Sequence, residues 1–141
     1  MTHQKKHWFW NLLIVVVLFG VAMAFTAHCK NWITIEKDYV SVFSGIYYTK
    51  IPFSNLGTVT IAPKIPQMER INGFSAMALE KGIFKDSITG HTVRVYIDDL
   101  RYPKIRLVYQ DSLQLYLNLK DTTRTRKLFE FLHSKTKEPL K

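Results

Sequence analysis

The sequence predicts a mainly β domain that follows a single N-terminal transmembrane helix. Three observations support this fold class: an uncharged apolar stretch near the N-terminus, a series of short alternating strands after it, and an amphipathic segment near the C-terminus. The chain has 141 residues, and the part that follows the apolar stretch is long enough for one modest hydrophobic core.

The apolar stretch runs from Trp8 to Ala27 and contains no charged residue. At about 1.5 Å rise per residue, a helix of this length spans roughly 30 Å, the thickness of a bilayer's hydrocarbon core. We therefore assign residues 8–28 to a transmembrane helix and residues 1–7 to a short basic tail. The lipid bilayer is the first partner that the sequence predicts.

A cleaved secretory signal is the competing interpretation of the same stretch. Lys5 and Lys6 would form its basic region, and Ala22-Met23-Ala24 resembles a cleavage site. The apolar run is longer than the roughly 7 to 15 residues of a typical signal core. We favour an uncleaved, single-pass membrane anchor, and cleavage stays open at this point.

Charge indicates the class of partner but does not decide which side of the membrane the domain faces. Lysines flank both ends of the stretch in similar number, so the positive-inside rule does not decide its orientation. Lys and Arg number 20 against 11 Asp and Glu, a net charge of +9, which favours anionic lipid headgroups or an acidic protein face. Cys29 is the single cysteine, which excludes an intrachain disulfide and a cysteine metal cluster.

Short runs of β-branched and aromatic residues, separated by turn residues, predict the strands of the domain. They cover residues 32–36, 39–43, 46–51, 56–62, 92–97, 105–109 and 113–119. Ser44-Gly45 predicts a tight hairpin turn, and Pro52 should end the third strand because it cannot donate a backbone hydrogen bond. Between Pro63 and Gly90 we expect an irregular crossover with one short strand near Phe74 to Leu79.

The C-terminal segment predicts a helix over residues 122–133. Asp121 is a suitable N-cap, and Leu128, Phe131 and Leu132 share one face. A helix this short is marginal alone, so its apolar face should cover the open end of the sheet. The domain then comprises residues 29–134, and residues 135–141 form a flexible tail.

This arrangement resembles the bacterial PH-domain proteins, membrane-associated relatives of the pleckstrin-homology fold. The resemblance is carried by four segments: Tyr47 to Ala62, Arg70 to Phe74, Val93 to Ile97 and Tyr116 to Asp121. It implies a PH-like, seven-stranded, partly open barrel or sandwich of two antiparallel sheets, capped by the C-terminal helix. It implies little about the ligand.

Eukaryotic lipid-binding members of that fold place basic residues in the loop between the first two strands. Here that loop is Ser44-Gly45, which has no basic residue and no room for a headgroup. A phosphoinositide pocket of that type is therefore not expected, and no site residues carry over from the resemblance.

Two groups of residues are candidate binding sites. Arg94, Arg101, Lys104 and Arg106 are basic residues among tyrosines, and they are candidates for contact with an anionic surface. Arg70, Asn72 and Gly73 form a candidate binding loop, because arginine can fork onto an anion and glycine permits close backbone approach. A solvated surface and a structural turn are the respective alternatives.

No catalytic or metal-binding constellation emerges from the remaining polar residues. Asp98-Asp99 predicts a solvated turn before Pro103, because adjacent residues at a strand end point in different directions. The histidines lack metal-ligand spacing, and no nucleophile turn or phosphate loop occurs. We therefore expect no enzyme and no cofactor.

The function hypothesis at this point is a non-enzymatic, membrane-anchored binding module. It would recruit a protein partner or touch anionic headgroups, and nucleic acid is not expected. The alternative is a structural subunit of a larger membrane assembly, in which Gly20, Ala22 and Ala24 help the helix pack against others. The ligand, the partner, the oligomeric state and the side of the membrane stay open.

Overall fold

A computed structural model describes residues 3–136, with side chains from residue 6 onward. Residues 1–2, at the start of the predicted basic tail, and residues 137–141 of the predicted flexible tail lie outside the described residues. The elements are α1 His3–Cys29, β1 Asn31–Ile35, β2 Tyr39–Ser44, β3 Tyr47–Pro52, a 3-10 turn Phe53–Asn55, β4 Leu56–Ala62, β5 Met68–Ala76, β6 Leu79–Asp86, β7 Thr92–Ile97, β8 Lys104–Tyr109, β9 Leu113–Asn118 and α2 Thr122–Ser134.

Helix α1 is apolar on all sides and has little protein around it. The segment Lys6–Cys29 has a mean hydropathy of 2.4 and is long enough to cross a membrane. Its side chains are exposed around the whole circumference, for example Ile14, Leu18 and Phe19. A helix that is hydrophobic all round is normally buried in protein or in lipid. A signal sequence near the N-terminus has the same length and composition.

The helix joins the domain without a flexible linker. Only Lys30 separates the last residue of α1, Cys29, from the first residue of β1, Asn31. The side chain of Trp32 returns to the helix, where its Nε1 donates a hydrogen bond to the carbonyl oxygen of Ala27 at 2.9 Å. Cys29 itself is buried. The direction of the helix is therefore coupled to the position of the domain.

The domain contains two sheets, which confirms the prediction of a mainly β fold between an N-terminal and a C-terminal helix. The smaller sheet is antiparallel, in the order β1-β2-β3, and the larger has the order β4-β8-β9-β7-β6-β5. Strands β7 and β9 are parallel. The described residues thus form nine strands where the resemblance implied seven, and the larger sheet is mixed where the resemblance implied two antiparallel sheets.

The predicted irregular crossover between Pro63 and Gly90 is wrong, because most of it is a long hairpin. Strands β5 and β6 pair over nearly their full length and turn at Met77-Ala78, where Met77 has φ of +52°. Two glycines face each other in this pair, Gly73 opposite Gly82. They remove side chains from the middle of both strands, which hides the alternation by which a strand is recognised.

The larger sheet carries a cluster of buried apolar residues on each face. One face packs with the smaller sheet and α2 around a core that includes Val40, Ile51, Leu107, Leu115 and Leu132. The other face holds a second cluster of Phe84, Val93, Val95, Ile97 and Tyr116. Tyr96 of β7 is fully buried in the first of these clusters, and its hydroxyl is hydrogen-bonded to Thr49 Oγ1 at 2.7 Å.

Four local predictions are confirmed. Strands β2 and β3 form a hairpin, and β3 ends at Pro52. The side chain of Asp121 caps α2 by accepting hydrogen bonds from the backbone of Thr123 and Arg124, which satisfies amides that have no partner within the helix. Leu128 and Leu132 of α2 are buried in the core.

We expect Gly73→Ala to destabilise the domain by on the order of 3 kcal/mol, because it adds both a steric clash and backbone strain. A Cβ at Gly73 would lie 2.3 Å from the carbonyl oxygen of Lys81, and φ there is +153°. Gly90→Ala is the matched control, since Gly90 has φ of +73° and a Cβ there would make only an ordinary contact, 3.8 Å from Lys85 Cε, so strain alone costs about 1 kcal/mol. Urea unfolding in mild detergent measures both; equal losses would contradict the close approach.

Candidate functional site

One end of the domain lies beside the C-terminus of α1, and we call it the helix-proximal end. Asn31 follows the helix and pairs with Ser44, so the β2–β3 turn lies at this end. The backbone N–H of Asn31 also donates to the carboxylate of Asp98, which follows β7. The β5–β6 turn reaches the same end, because the Leu100 N–H donates to the carbonyl oxygen of Ala78 at 2.9 Å.

A buried polar network lies just inside the helix-proximal end. The ammonium of Lys81 contacts Asp98 Oδ1 at 2.7 Å, Asn31 Oδ1 at 2.6 Å and Ser44 Oγ at 3.0 Å. The Lys81 side chain is fully buried, and that of Asp98 is 4% exposed. Asn31 and Ser44 belong to the smaller sheet, whereas Lys81 and Asp98 belong to or follow strands of the larger one. The network therefore joins the two sheets.

Asn118 extends this network under the loop between β7 and β8. Its Oδ1 accepts the backbone N–H groups of Asp98 at 2.9 Å and Asp99 at 3.1 Å. Its Nδ2 donates to the carbonyl oxygen of Asp99 at 2.7 Å. The carbonyl oxygen of Asn118 in turn accepts a hydrogen bond from Asn31 Nδ2 at 2.8 Å. One side chain thus fixes the crossover loop and connects it to the start of β1.

Burial dominates the electrostatics of Lys81. Desolvation lowers the pKa of its ammonium below the ordinary value, and the neighbouring carboxylate of Asp98 opposes that shift. Isolated buried charges are very costly, so the close ion pair and its hydrogen bonds are what keep both groups in the interior. Because neither charge reaches the surface, this arrangement can clamp structural elements together.

The turn at Asp98-Asp99 is not solvated, contrary to the sequence prediction. Both residues are buried. The carboxylate of Asp99 binds the guanidinium of Arg101 through Nη2 at 2.6 Å and Nε at 2.9 Å. This hydrogen bonding lowers the pKa of Asp99 from 3.8 to about 2. The two adjacent acids point in different directions, as the sequence predicted. Each is paired with a cation, Asp98 with Lys81 and Asp99 with Arg101, and not with solvent.

The outer surface of the helix-proximal end exposes large apolar side chains. Ile46 at the β2–β3 turn is 72% exposed, and Met77 at the β5–β6 turn is 99% exposed. Next to them Trp32, Phe43 and Tyr48 are paired across the three strands of the smaller sheet. All three are about half exposed. We call these three residues the aromatic row.

The two ends of the domain differ in the charges that they expose. Lys30 and Lys120 are exposed at the helix-proximal end. Arg101 is exposed there too, but its guanidinium is paired with the carboxylate of Asp99. The acids of that end are engaged: Asp98 and Asp99 in ion pairs and Asp121 in the cap of α2. The turns and strand ends at the opposite end of the domain carry two lysines, Lys37 and Lys85, and five acids: Glu36, Asp38, Glu69, Asp86 and Asp111. Acids therefore outnumber lysines at the end away from α1, whereas Lys30 and Lys120 are exposed beside it.

The four basic residues predicted to contact an anionic surface do not form one surface. Arg94 aligns with Leu115 on the face of the larger sheet that holds the main core, whereas Arg106 aligns with Tyr116 on the opposite face. Lys104 is buried, and its ammonium donates to the carbonyl oxygens of Leu100 and Pro63. Of the four, Arg101 alone is exposed at the helix-proximal end.

The predicted binding loop at Arg70, Asn72 and Gly73 lies inside strand β5. The register shifts between Arg70 and Asn72, so the segment contains a β-bulge and no turn. Arg70 pairs with Glu80 at 3.3 Å, and Asn72 Oδ1 accepts the hydroxyl of Tyr47 at 2.5 Å. Both side chains are engaged in contacts between strands, and the glycine serves the close approach to Gly82.

Two concave features complete the surface of the described part of the chain. A groove of about 370 Å³ lies between α2 and strand β4, lined by Ile61, Pro103, Thr122, Thr125, Arg126, Phe129 and Glu130. A shallower, polar depression of about 400 Å³ lies at the β6–β7 turn around Asp86. No group of three or more His, Cys, Asp or Glu among the described residues could hold a metal ion.

No protein-family model, curated protein or solved structure matches this chain. Membership of the bacterial PH-domain family therefore stays a prediction. The interpretation of the helix-proximal end accordingly depends on the chain's own residues and their geometry.

Sequence reasoning missed the members of the buried network. Lys81 lies in the stretch predicted as an irregular crossover and gave no sign of burial, and Asn31 precedes the first predicted strand, residues 32–36. Asn118 gave no signal either, because it occupies an intervening position among the alternating leucines Leu115, Leu117 and Leu119, where a polar residue is expected on the wetter face. Its hydrogen-bond partners come from distant parts of the chain.

Removing either member of the buried ion pair should cost about 3 to 5 kcal/mol of unfolding free energy, because the other charge is left buried and unpaired. Lys81→Met and Asp98→Asn test the two sides. The double variant should lose clearly less than the sum of the singles. Urea unfolding of the full chain in mild detergent measures the unfolding free energies for this double-mutant cycle. Arg70→Gln, at a partly exposed ion pair, is the control and should cost at most about 1 kcal/mol; additive single losses would contradict the coupling.

Arg101→Gln should lower stability in a pH-dependent way. The pKa of Asp99 in the folded protein, about 2, lies below its ordinary 3.8, so the Asp99 carboxylate stabilises the fold above about pH 4. That contribution is lost as pH falls through about 2. The urea midpoints of wild type and variant should differ at neutral pH and converge near pH 2. Arg124→Gln on the exposed face of α2 is the control; a pH-independent difference would remove the explanation.

Proposed function

We propose that this chain is a single-pass membrane protein and that its domain is a non-enzymatic binding module that contacts anionic lipid headgroups. The contact surface is the helix-proximal end, with Lys30 and Lys120 as exposed cations; Arg101 is exposed beside them in its pair with Asp99. Helix α1 holds the domain at the bilayer, so even weak headgroup contacts act at high effective concentration.

The observation on which this proposal depends is the separation of charge along the domain. Lys30 and Lys120 are exposed beside the end of α1, while acids outnumber lysines in the turns and strand ends of the opposite end. An anionic leaflet attracts basic groups near its surface by about 1 kcal/mol each, and the attraction falls off within a Debye length of about 8 Å. Only groups close to the helix exit benefit, and Lys30 and Lys120 are among them.

The state of the ionisable groups supports a binding role over catalysis. Lys81 and Asp99 have shifted pKa values, and shifted groups are candidates for function. Burial lowers the pKa of Lys81, whose ion pair with Asp98 joins the two sheets, and hydrogen bonds from Arg101, two residues away, lower the pKa of Asp99. If the domain does not contact lipid headgroups, the same surface would instead recruit a protein partner.

Hydrogen–deuterium exchange of the full chain in nanodiscs tests the headgroup contact. We expect slower exchange of the β7–β8 loop, residues 98–103, in discs that contain phosphatidylglycerol than in discs of phosphatidylcholine alone. Raised salt should cancel the difference, because it screens exposed charges. The β6–β7 turn, residues 86–91, is the internal control at the opposite end of the domain.

A matched pair of double variants separates the effect of position from that of net charge. Lys30→Gln with Lys120→Gln should abolish the protection by anionic lipid. Lys37→Gln with Lys85→Gln removes the same charge from the opposite end and should leave the protection unchanged. Equal exchange in the two kinds of disc for wild type would reject headgroup contact, and a uniform oligomer mass in mild detergent would then favour the structural subunit of a larger assembly.

A further inference from the structure

The apolar side chains at the helix-proximal end are a second feature of that surface, which headgroup attraction does not explain. Ile46 and Met77 are among the most exposed large hydrophobic residues of the domain. Each is at the tip of a hairpin, and their turns are brought together because Gly45 lies against the ring of Phe74 and the stem of Lys81. Two apolar tips thus project from one end.

The distance from these tips to the membrane is limited by the covalent chain. Lys30 is the one residue between α1 and β1, and Asn31 pairs directly with Ser44, two residues before Ile46. The tip of the β2–β3 hairpin therefore lies within a few residues of the helix exit. If α1 spans a bilayer, this turn lies at the level of the lipid headgroups.

Contacts at the junction oppose swinging of the domain away from that position. Asn31 is fixed within the domain by Asp98, Asn118 and the ammonium of Lys81, so the strand starts at a defined point. Trp32 is hydrogen-bonded across the junction to Ala27, and Cys29 at the end of α1 is buried. Rotation about the junction would break that hydrogen bond and expose Cys29, so the helix-proximal end faces the membrane in a defined orientation.

The aromatic row extends the apolar tips along the smaller sheet. Trp32, Phe43 and Tyr48 form the row nearest the helix exit, and the next row on the same face is polar, with Thr34, Ser41 and Lys50. Trp and Tyr are enriched where membrane meets water, because their rings are apolar and their tips are polar. The change from aromatic to polar side chains between one row and the next marks the edge of the apolar surface.

We propose that Ile46 and Met77 insert into the interfacial layer of the membrane that α1 spans, with the aromatic row at the level of the headgroups. The lipid bilayer is the occupant of this apolar surface, and the insertion fixes the orientation of the domain. This inference rests on the proposed function in one respect, that α1 is a membrane anchor. It does not require anionic lipid.

Site-specific labelling of the full chain in nanodiscs tests the insertion. Single cysteines at Ile46, Met77 or Ile88, in a Cys29→Ser background, receive an environment-sensitive fluorophore. Ile88 is the matched control, since it is 89% exposed at a turn of the opposite end. Labels at 46 and 77 should shift to shorter emission wavelength and be quenched by lipids that carry a nitroxide near the headgroup, whereas the label at 88 should do neither.

Emission from Trp32 gives a second readout that needs no label. With Trp8 and Trp10 replaced by Phe, the remaining tryptophan reports on the aromatic row, and brominated lipids should quench it. If the labels at positions 46 and 77 and the ring of Trp32 were all unquenched, and the two labels emitted like the label at position 88, the insertion would be rejected.

Two lipid compositions separate this inference from the headgroup proposal. Quenching in discs of phosphatidylcholine alone, with no protection from phosphatidylglycerol, supports insertion and rejects headgroup attraction. Protection by phosphatidylglycerol without quenching in either disc rejects insertion and supports attraction by charge alone. A cleaved or soluble chain would show neither and would reject both.

Discussion

The ion pair between Lys81 and Asp98 is the interaction on which the arrangement of this protein depends. It links strand β6 to the end of β7 and, through Asn31 and Ser44, links both to the smaller sheet. A charged pair of this kind gains little over apolar packing and is costly if incomplete. Here the pair fixes a position, because Lys81 and Asp98 both bind Asn31, the first residue of β1.

That position matters because the first strand is a direct continuation of the apolar helix. A domain on a long linker would sample many orientations, and its surface would carry no information about the membrane. Here one residue separates helix and strand, and the strand's first residue is held from three sides. The orientation of the helix and the surface presented beside it are therefore one structural property, and the charges and apolar tips of that end can be interpreted together.

Sequence patterns found the elements that depend on local signals. The apolar run, the β2–β3 hairpin, the stop at Pro52 and the cap at Asp121 each have their causes within a few residues. The β5–β6 hairpin was missed because Gly73 and Gly82 interrupt the alternation. Glycine is required at both positions because the two strands approach so closely that a Cβ would clash with backbone atoms of the neighbouring strand.

The candidate site was less accessible than the fold. Arg94, Lys104 and Arg106 are close in sequence, and a basic cluster was a reasonable inference, but sheet register places Arg94 and Arg106 on opposite faces and buries Lys104. Asp98 and Asp99 were taken as solvated because nothing in the local sequence indicates Lys81 as a partner from another strand.

By itself, the sequence determined that a helix long and apolar enough for a membrane precedes a mainly β domain, since both are set by composition and local periodicity. Only the tertiary structure decided which charges are buried, which end is positive, and which apolar residues project beside the helix. Those properties depend on strand order and register, and they bring together residues such as Asn31 and Asn118 that are distant along the chain.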